Sequence, residues 1–328
     1  MAKFSVNAVQ IDAIISCLAP NKQDNKNNAL LDKPEAFIAH TGIGTTYHAN
    51  QKDQISAYFL QAAKSGLKSL SWKASDIAVL ICVSQTPDVA IPSCANQIHA
   101  ALQGSDSCLC FDINQGCSGF VYGLSTAAQY LEKIPGGKAL LCVGDFSSRL
   151  TDPLDPSTRP VFSDAVSVCF LSHNATAAPM HFSLESIAKG HGAIQVKTVG
   201  KLQKMDLNGI DVFSYSVQYV PRQINQLIAA NTSFQDPHTH LVLHQANSLI
   251  NKAIVNKLSY NLQVHSSIEK YGNTSSASIP ITLSANTEIS KKGGQFCLSG
   301  FGVGFSIATV LLELEENLVL SILTYEES

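Results

Sequence analysis

The chain alternates between short continuous apolar runs and longer segments in which apolar residues return every three or four positions. Runs at 76–83, 139–145 and 165–171 have the length and composition of strands buried on both faces. Ile55, Tyr58, Phe59, Ala62, Ala63 and Leu67 mark an amphipathic helix, and Phe120, Leu124, Ala127, Ala128 and Leu131 mark another. Pro92-Ser93 opens a helix that runs to about 102, and 108–114 reads as a strand. Residues 4–18 predict one or two strands, 22–28 a polar loop, 41–44 a turn and 151–160 a proline-rich loop. The second half repeats the rhythm. A strand near 181–188 leads into a Gly/Lys-rich loop to about 204. Then come a helix over 212–230, a strand at 241–243, a helix from Asn247, a helix over 276–288 and strands at 295–299 and 305–313. This alternation predicts α/β layering. The halves, 1–172 and 173–328, read as a structural duplication around one continuous core.

Composition removes several function classes. With 328 residues, 45% of them apolar, the chain can build a large core. A formal net charge of −3, with arginine only at 149, 159 and 222, gives no electrostatic case for nucleic acid. No run approaches a membrane span, and Gln10 and Asp12 interrupt the apolar residues where a signal peptide would lie. Nine cysteines without a C-x-x-C pair suit reduced thiols in a cytoplasm, with neither a disulfide framework nor a metal site. Cys108 and Cys110 share one face of a strand and are expected to pack together.

Candidate chemistry concentrates at 111–120. A strand-like run ends at Gln115-Gly116 and a helical pattern follows, so Cys117 falls on a sharp strand-to-helix turn. The positive end of a helix dipole there is expected to lower its thiol pKa. A cysteine at a helix start is equally read as a small buried hydrophobe. Two further polar groups end apolar elements: His244 in His244-Gln245-Ala246-Asn247, and Asn273 in Tyr271-Gly272-Asn273-Thr274-Ser275-Ser276. A thiolate nucleophile, a histidine that can move a proton and an asparagine N–H that can hold an oxyanion fit thioester chemistry. The turn Ser299-Gly300-Phe301-Gly302-Val303-Gly304 can aim a backbone N–H at the same oxygen.

These motifs, with Asp112-Ile113-Asn114-Gln115-Gly116-Cys117-Ser118-Gly119, resemble those of β-ketoacyl-acyl-carrier-protein synthase III, over nearly the whole chain. The resemblance implies a thiolase fold: a duplicated, five-layer αβαβα sandwich acting as a homodimer. Cys117 would take an acyl group from an acyl-coenzyme A thioester, which is a substrate rather than a tightly bound cofactor. A malonyl thioester would then lose CO₂ and attack the acyl carbon. His244 and Asn273 would hold the malonyl thioester oxygen, and the amides of Cys117 and Val303 the oxyanion. Arg149, Gly209, Phe213 and Asn247 would contact coenzyme A.

Departures from the family pattern point to a specialised pathway rather than bulk fatty-acid initiation. Val303 stands where the family has a glycine. Ala36, with Phe37 beside it, replaces the aromatic partner of Arg149, and His40, Thr45 and Thr46 replace arginines. On the expected docking face for an acidic acyl carrier protein, Ser214, Ser248, Leu249 and Asn256 stand at or near usually basic positions, leaving Lys257. Lys189, Lys197, Lys201 and Lys204 offer a substitute patch. Ile91 takes the place of a residue expected to close the acyl pocket across the dimer, where a smaller side chain admits a longer or branched chain. The rival reading is an acyltransferase passing the Cys117-bound acyl group to a hydroxyl or amine. A non-catalytic subunit is opposed by the intact Cys117/His244/Asn273 set. A two-cysteine thiolase is opposed by Cys297, which lies inside a strand pattern.

Overall fold

The computed structural model describes residues 2–199 and 202–327. Along the chain the strands and helices are β1 (Ala2–Val6), β2 (Val9–Leu18), β3 (Asn21–Asp24), α1 (Pro34–Thr41), β4 (Thr45–His48), α2 (Ile55–Ser69), β5 (Ile77–Val83), α3 (Cys94–Leu102), β6 (Leu109–Ile113), α4 (Gly119–Leu131), β7 (Lys138–Phe146), β8 (Asp164–His173), β9 (Met180–Ser186), β10 (Ile194–Val199) and β11 (Leu202–Leu207). There follow α5 (Gly209–Ala230), β12 (His240–Leu243), α6 (Ser248–Val255), β13 (Gln263–His265), α7 (Ile268–Tyr271), α8 (Ser278–Ala285), α9 (Thr287–Lys292), β14 (Gly294–Gly302), β15 (Ser306–Leu314) and β16 (Val319–Thr324).

Two six-stranded sheets carry the molecule, ordered β16-β2-β8-β7-β5-β6 and β1-β9-β15-β14-β12-β13. Their inner five strands match one for one. β2-β8 and β8-β7 are antiparallel and β7-β5-β6 parallel, just as β9-β15 and β15-β14 are antiparallel and β14-β12-β13 parallel. The sixth strand of each sheet comes from the other end of the chain: β1 joins the second sheet beside β9, and β16 joins the first beside β2.

The layering is αβαβα. Helices α2 and α3 cover the outer face of the first sheet, where Phe59, Ala62 and Ala63 meet Val166, Val168 and Phe170. Helix α4 with α8 fills the space between the sheets, packing Phe120, Leu124 and Ile279 against Val79, Leu141, Leu298 and Val310. Helix α5 covers the outer face of the second sheet with Val220, Ile224 and Leu227. Each fully buried Leu, Ile or Phe contributes about 1.5–3 kcal/mol, and all three helical layers bury such residues against the sheets.

Three helices start on side-chain caps: Ser93 accepts from Asn96 N, Asn208 from Asp211 N and Asn247 from Ile250 N. Two stretches read as loops are hairpins instead. Residues 22–28 contribute to β3, which pairs with β4, and the Gly/Lys-rich segment forms the β10–β11 pair. Their polar sequences hide backbone pairing that no apolar alternation announces. The strand expected at 305–313 is followed by a further one, β16.

Candidate active site

The candidate residues converge where the parallel strands end. Cys117 follows β6, Asp145 ends β7, His244 follows β12, Asn273 follows α7 after β13, and Val303 follows β14. All five line one cavity of about 220 Å³. By strand correspondence, Cys117 matches Asn273 as the sequel to the last parallel strand, and the match of His244 is the loop after β5, which holds Gln85.

Cys117 is 8% exposed. Helix α4 begins two residues later, at Gly119, so Cys117 sits on the turn before it. The expected fall in thiol pKa does not occur. Burial and the nearby Asp145 carboxylate push the thiol up to about 12, although the N–H groups of Val303 and Cys117 and the Ser275 hydroxyl all act on the sulfur in the opposite sense. Those two amides therefore lie beside the sulfur, within reach of a carbonyl oxygen on a group attached to it. Hydrogen bonds hold them in place. Gln115 Nε2 donates to Ser118 Oγ (3.1 Å) and Ser306 Oγ (2.9 Å), and Ser306 Oγ donates to Val303 O (2.6 Å). The turn before α4 is thereby tied to the turn after β14.

His244 is 1% exposed, with Ser278 Oγ 2.7 Å from Nδ1 and the edge of its ring against Phe301. Ser278 Oγ also receives the Gln245 N–H at 3.3 Å. Donation of the Ser278 proton to Nδ1 places the imidazole hydrogen on Nε2, and the Ser275 backbone also acts on the ring, favouring its protonated form. Burial holds the pKa down to about 3, so the ring is neutral at physiological pH. Asn273 is equally constrained. Its Oδ1 accepts from Ser275 N at 3.0 Å, so Nδ2 remains the group to donate. Backbone bonds from Asn273 N to Val161 O and from Ser163 N to Asn273 O anchor it to the segment before β8. His244 and Asn273 thus bring two neutral N–H donors to the wall that holds the sulfur.

The expected coenzyme A contacts divide. Gly209 and Asn247 line the cavity, while Phe213 lies in an open groove outside it with Ile210 and Leu249. Arg149 is not on the cavity wall. Its guanidinium donates to the Asn50 and Asp53 carbonyls and stacks on Phe146, so the short segment after β7 turns it away. Phe37 does line the cavity. The lysine patch is largely engaged: Lys197 pairs with Asp206, Lys204 with Asp152, and Lys189 lies over Tyr215 and Tyr219. Lys201 falls outside the described residues.

Sequence reasoning missed Gln85, Asp145 and Ser278, which sit in no recognisable motif of their own, and gave no role to Ser275, which lies in the 271–276 motif. All nine cysteines are free, and Cys108 Sγ lies 3.6 Å from Cys110 Sγ, as expected of two side chains on one strand face. No helix among the described residues is long and apolar enough to cross a membrane.

Comparison with known proteins places this geometry. Residues 111–190 match the family model for 3-oxoacyl-[acyl-carrier-protein] synthase III, and residues 220–314 match the model for its C-terminal part. The chain is 30% identical over 302 residues to a β-ketoacyl-[acyl-carrier-protein] synthase III of Acaryochloris marina, covering 87% of this chain and 90% of that protein. A crystal structure of a 3-oxoacyl-(acyl-carrier protein) synthase from Burkholderia xenovorans superposes with a TM-score of 0.92 at 26% identity, covering 99% of both chains. That of a 3-oxoacyl-(acyl carrier protein) synthase III from Pseudomonas aeruginosa gives 0.85 at 26% identity, covering 95% of this chain and all of the other.

Proposed function

The chain belongs to the 3-oxoacyl-[acyl-carrier-protein] synthase III family and is a condensing enzyme of that type, and we propose that Cys117, His244 and Asn273 carry its two half-reactions. In the first, the Cys117 sulfur attacks the carbonyl of an acyl-coenzyme A thioester. The oxyanion is held by the N–H groups of Val303 and Cys117, the acyl–sulfur bond to coenzyme A breaks, and the thiol proton leaves on the departing thiolate. In the second, a malonyl thioester breaks its bond to the carboxylate and releases CO₂. The electron pair passes into an enolate whose oxygen accepts from His244 Nε2 and Asn273 Nδ2. The enolate carbon then attacks the acyl carbon on Cys117, and collapse releases a β-ketoacyl thioester and the Cys117 thiolate, which takes one proton from solvent to restore the thiol.

The observation that carries this reading is the fixed polarity of the two donors. Nδ1 of His244 is engaged by Ser278 and Oδ1 of Asn273 by Ser275, so both present N–H groups where an enolate oxygen forms. The same polarity disfavours acyl transfer to a hydroxyl or amine. That reaction needs a base, and a histidine whose pKa is held down to about 3 is a poor one.

The docking face favours a specialised carrier protein or a free coenzyme A thioester. In the groove outside the cavity, Ile210 and Leu249 are 80% and 54% exposed where basic side chains would steer an acidic partner. A homodimer is part of the reading, supported by the exposed edge strand β6 and by Ile91, which is 87% exposed.

Intact-protein mass after incubation with acyl-coenzyme A donors tests the scheme. The expected result is a mass gain lost in Cys117→Ala and discharged by malonyl thioester with release of CO₂. A gain that malonyl fails to discharge would replace condensation by acyl transfer to another acceptor.

A further inference from the structure

The wall of the cavity beside Cys117 is not a hydrocarbon surface. Asp145 is 1% exposed and reaches the cavity from the end of β7. Its Oδ1 accepts from Gln85 N at 2.6 Å, Ser84 Oγ at 3.1 Å and Thr86 Oγ1 at 3.4 Å, which fixes the loop after β5. Its Oδ2 is fully buried and makes no hydrogen bond of good geometry among the described residues, although the Ser275 hydroxyl lies close enough to stabilise the carboxylate. Ser147, 3% exposed, lines the same wall, and its hydroxyl makes no hydrogen bond among the described residues. Gln85, Ser157 and Thr158 add further polar groups, while Leu150, Met205 and Leu207 supply apolar lining. A buried carboxylate oxygen without a donor is unfavourable, and a plain alkyl chain packed over it leaves it so.

We propose that the acyl donor carries a hydrogen-bond donor, a hydroxyl or an amine, on a chain carbon close to its thioester, and that Asp145 Oδ2 receives it with Ser147 alongside. Asp145 and Cys117 line the same cavity of about 220 Å³, which places the polar group within the first few carbons of a chain bound there. The apolar side then accommodates the hydrocarbon remainder. This inference rests on the reading that Cys117 is acylated from coenzyme A inside this cavity.

The experiment compares the second-order rate of Cys117 acylation by butyryl-, 3-hydroxybutyryl- and 3-aminobutyryl-coenzyme A, followed by intact mass. The wild type, Asp145→Asn and Ser147→Val are measured in parallel. At least one polar donor is expected to load about tenfold or more faster than butyryl-coenzyme A, the yield of one added hydrogen bond, and the two polar arms identify which group is read. The preference should shrink several-fold in Asp145→Asn. Ser147→Val, which keeps the carboxylate and its loop contacts, should shift selectivity toward the alkyl chain even where Asp145→Asn fails to fold. Faster loading by butyryl-coenzyme A in the wild type, or an unchanged preference in the variants, would overturn the inference while leaving the condensing scheme standing. No loading by any of the three would remove the coenzyme A scheme and this inference together.

Discussion

The tightest constraint on the site is a missing side chain. A Cβ built on Gly302 would lie 2.7 Å from Cys117 Cβ and 2.8 Å from Sγ, and its φ of +153° already lies where L side chains are rare. Gly302→Ala is therefore expected to displace the sulfur relative to the Val303 amide that follows it. A misplacement of about 1 Å is enough to slow a positioned reaction roughly 100-fold. Rapid-quench mass spectrometry of acyl-enzyme formation measures this directly, with circular dichroism as the check on folding. A folded variant that acylates at the wild-type rate would show that the close approach has no part in aligning the nucleophile. Val303 is the contrasting case. Its N–H is supplied by the backbone, and its side chain packs beside Gly116.

Elements position these residues through their ends rather than their faces, and helix α6 shows how. Asn247 closes the motif that carries His244 and caps the helix, accepting from Ile250 N at 2.8 Å. Asn247→Ala is expected to destabilise the fold by about 1 kcal/mol, and Asn247→Asp to restore most of that, as read from urea unfolding midpoints. Equal midpoints for all three proteins would mean that the cap contributes nothing. This helix was legible from sequence because a polar cap preceded an apolar repeat. The buried strands β5, β7 and β8 were legible as continuous apolar runs. Helix α1 and the β3–β4 and β10–β11 hairpins were not, because their residues are mixed and half-exposed and their bonds lie in the backbone. The site divides in the same way. Cys117, His244, Asn273 and the Val303 turn could be read because each sits in a local motif. Asp145 and Ser278 acquire their roles only from long-range neighbours, and burial reversed the thiol shift expected from the helix dipole alone.

At the scale of the whole molecule, the two sheets end differently. The first terminates in β6, a five-residue edge strand whose Leu109 is 39% exposed. Beside it the chain exposes Val89, Ile91 and Tyr130. A short apolar edge with an apolar surround is a surface that native proteins cover or blunt. Its one charged side chain does not blunt it, because the Asp112 carboxylate is engaged by the Cys94 and Ala95 N–H groups at 2.7 and 2.8 Å. Pairing β6 with the same strand of a second copy would satisfy the free edge and bury Ile91. The chain is therefore expected to sediment at twice its own mass at micromolar concentration, and Leu109→Lys to shift it toward the single chain. A wild-type protein that sediments as a single chain would remove the dimer from the scheme. If the dimer forms and Ile91 closes the partner's cavity, then Ile91→Phe should shorten the longest acyl chain that loads onto Cys117 while leaving the sedimentation unchanged. The same chain-length limit in Ile91→Phe and wild type would place the end wall of the cavity within one chain, and the dimer would then serve stability rather than selection.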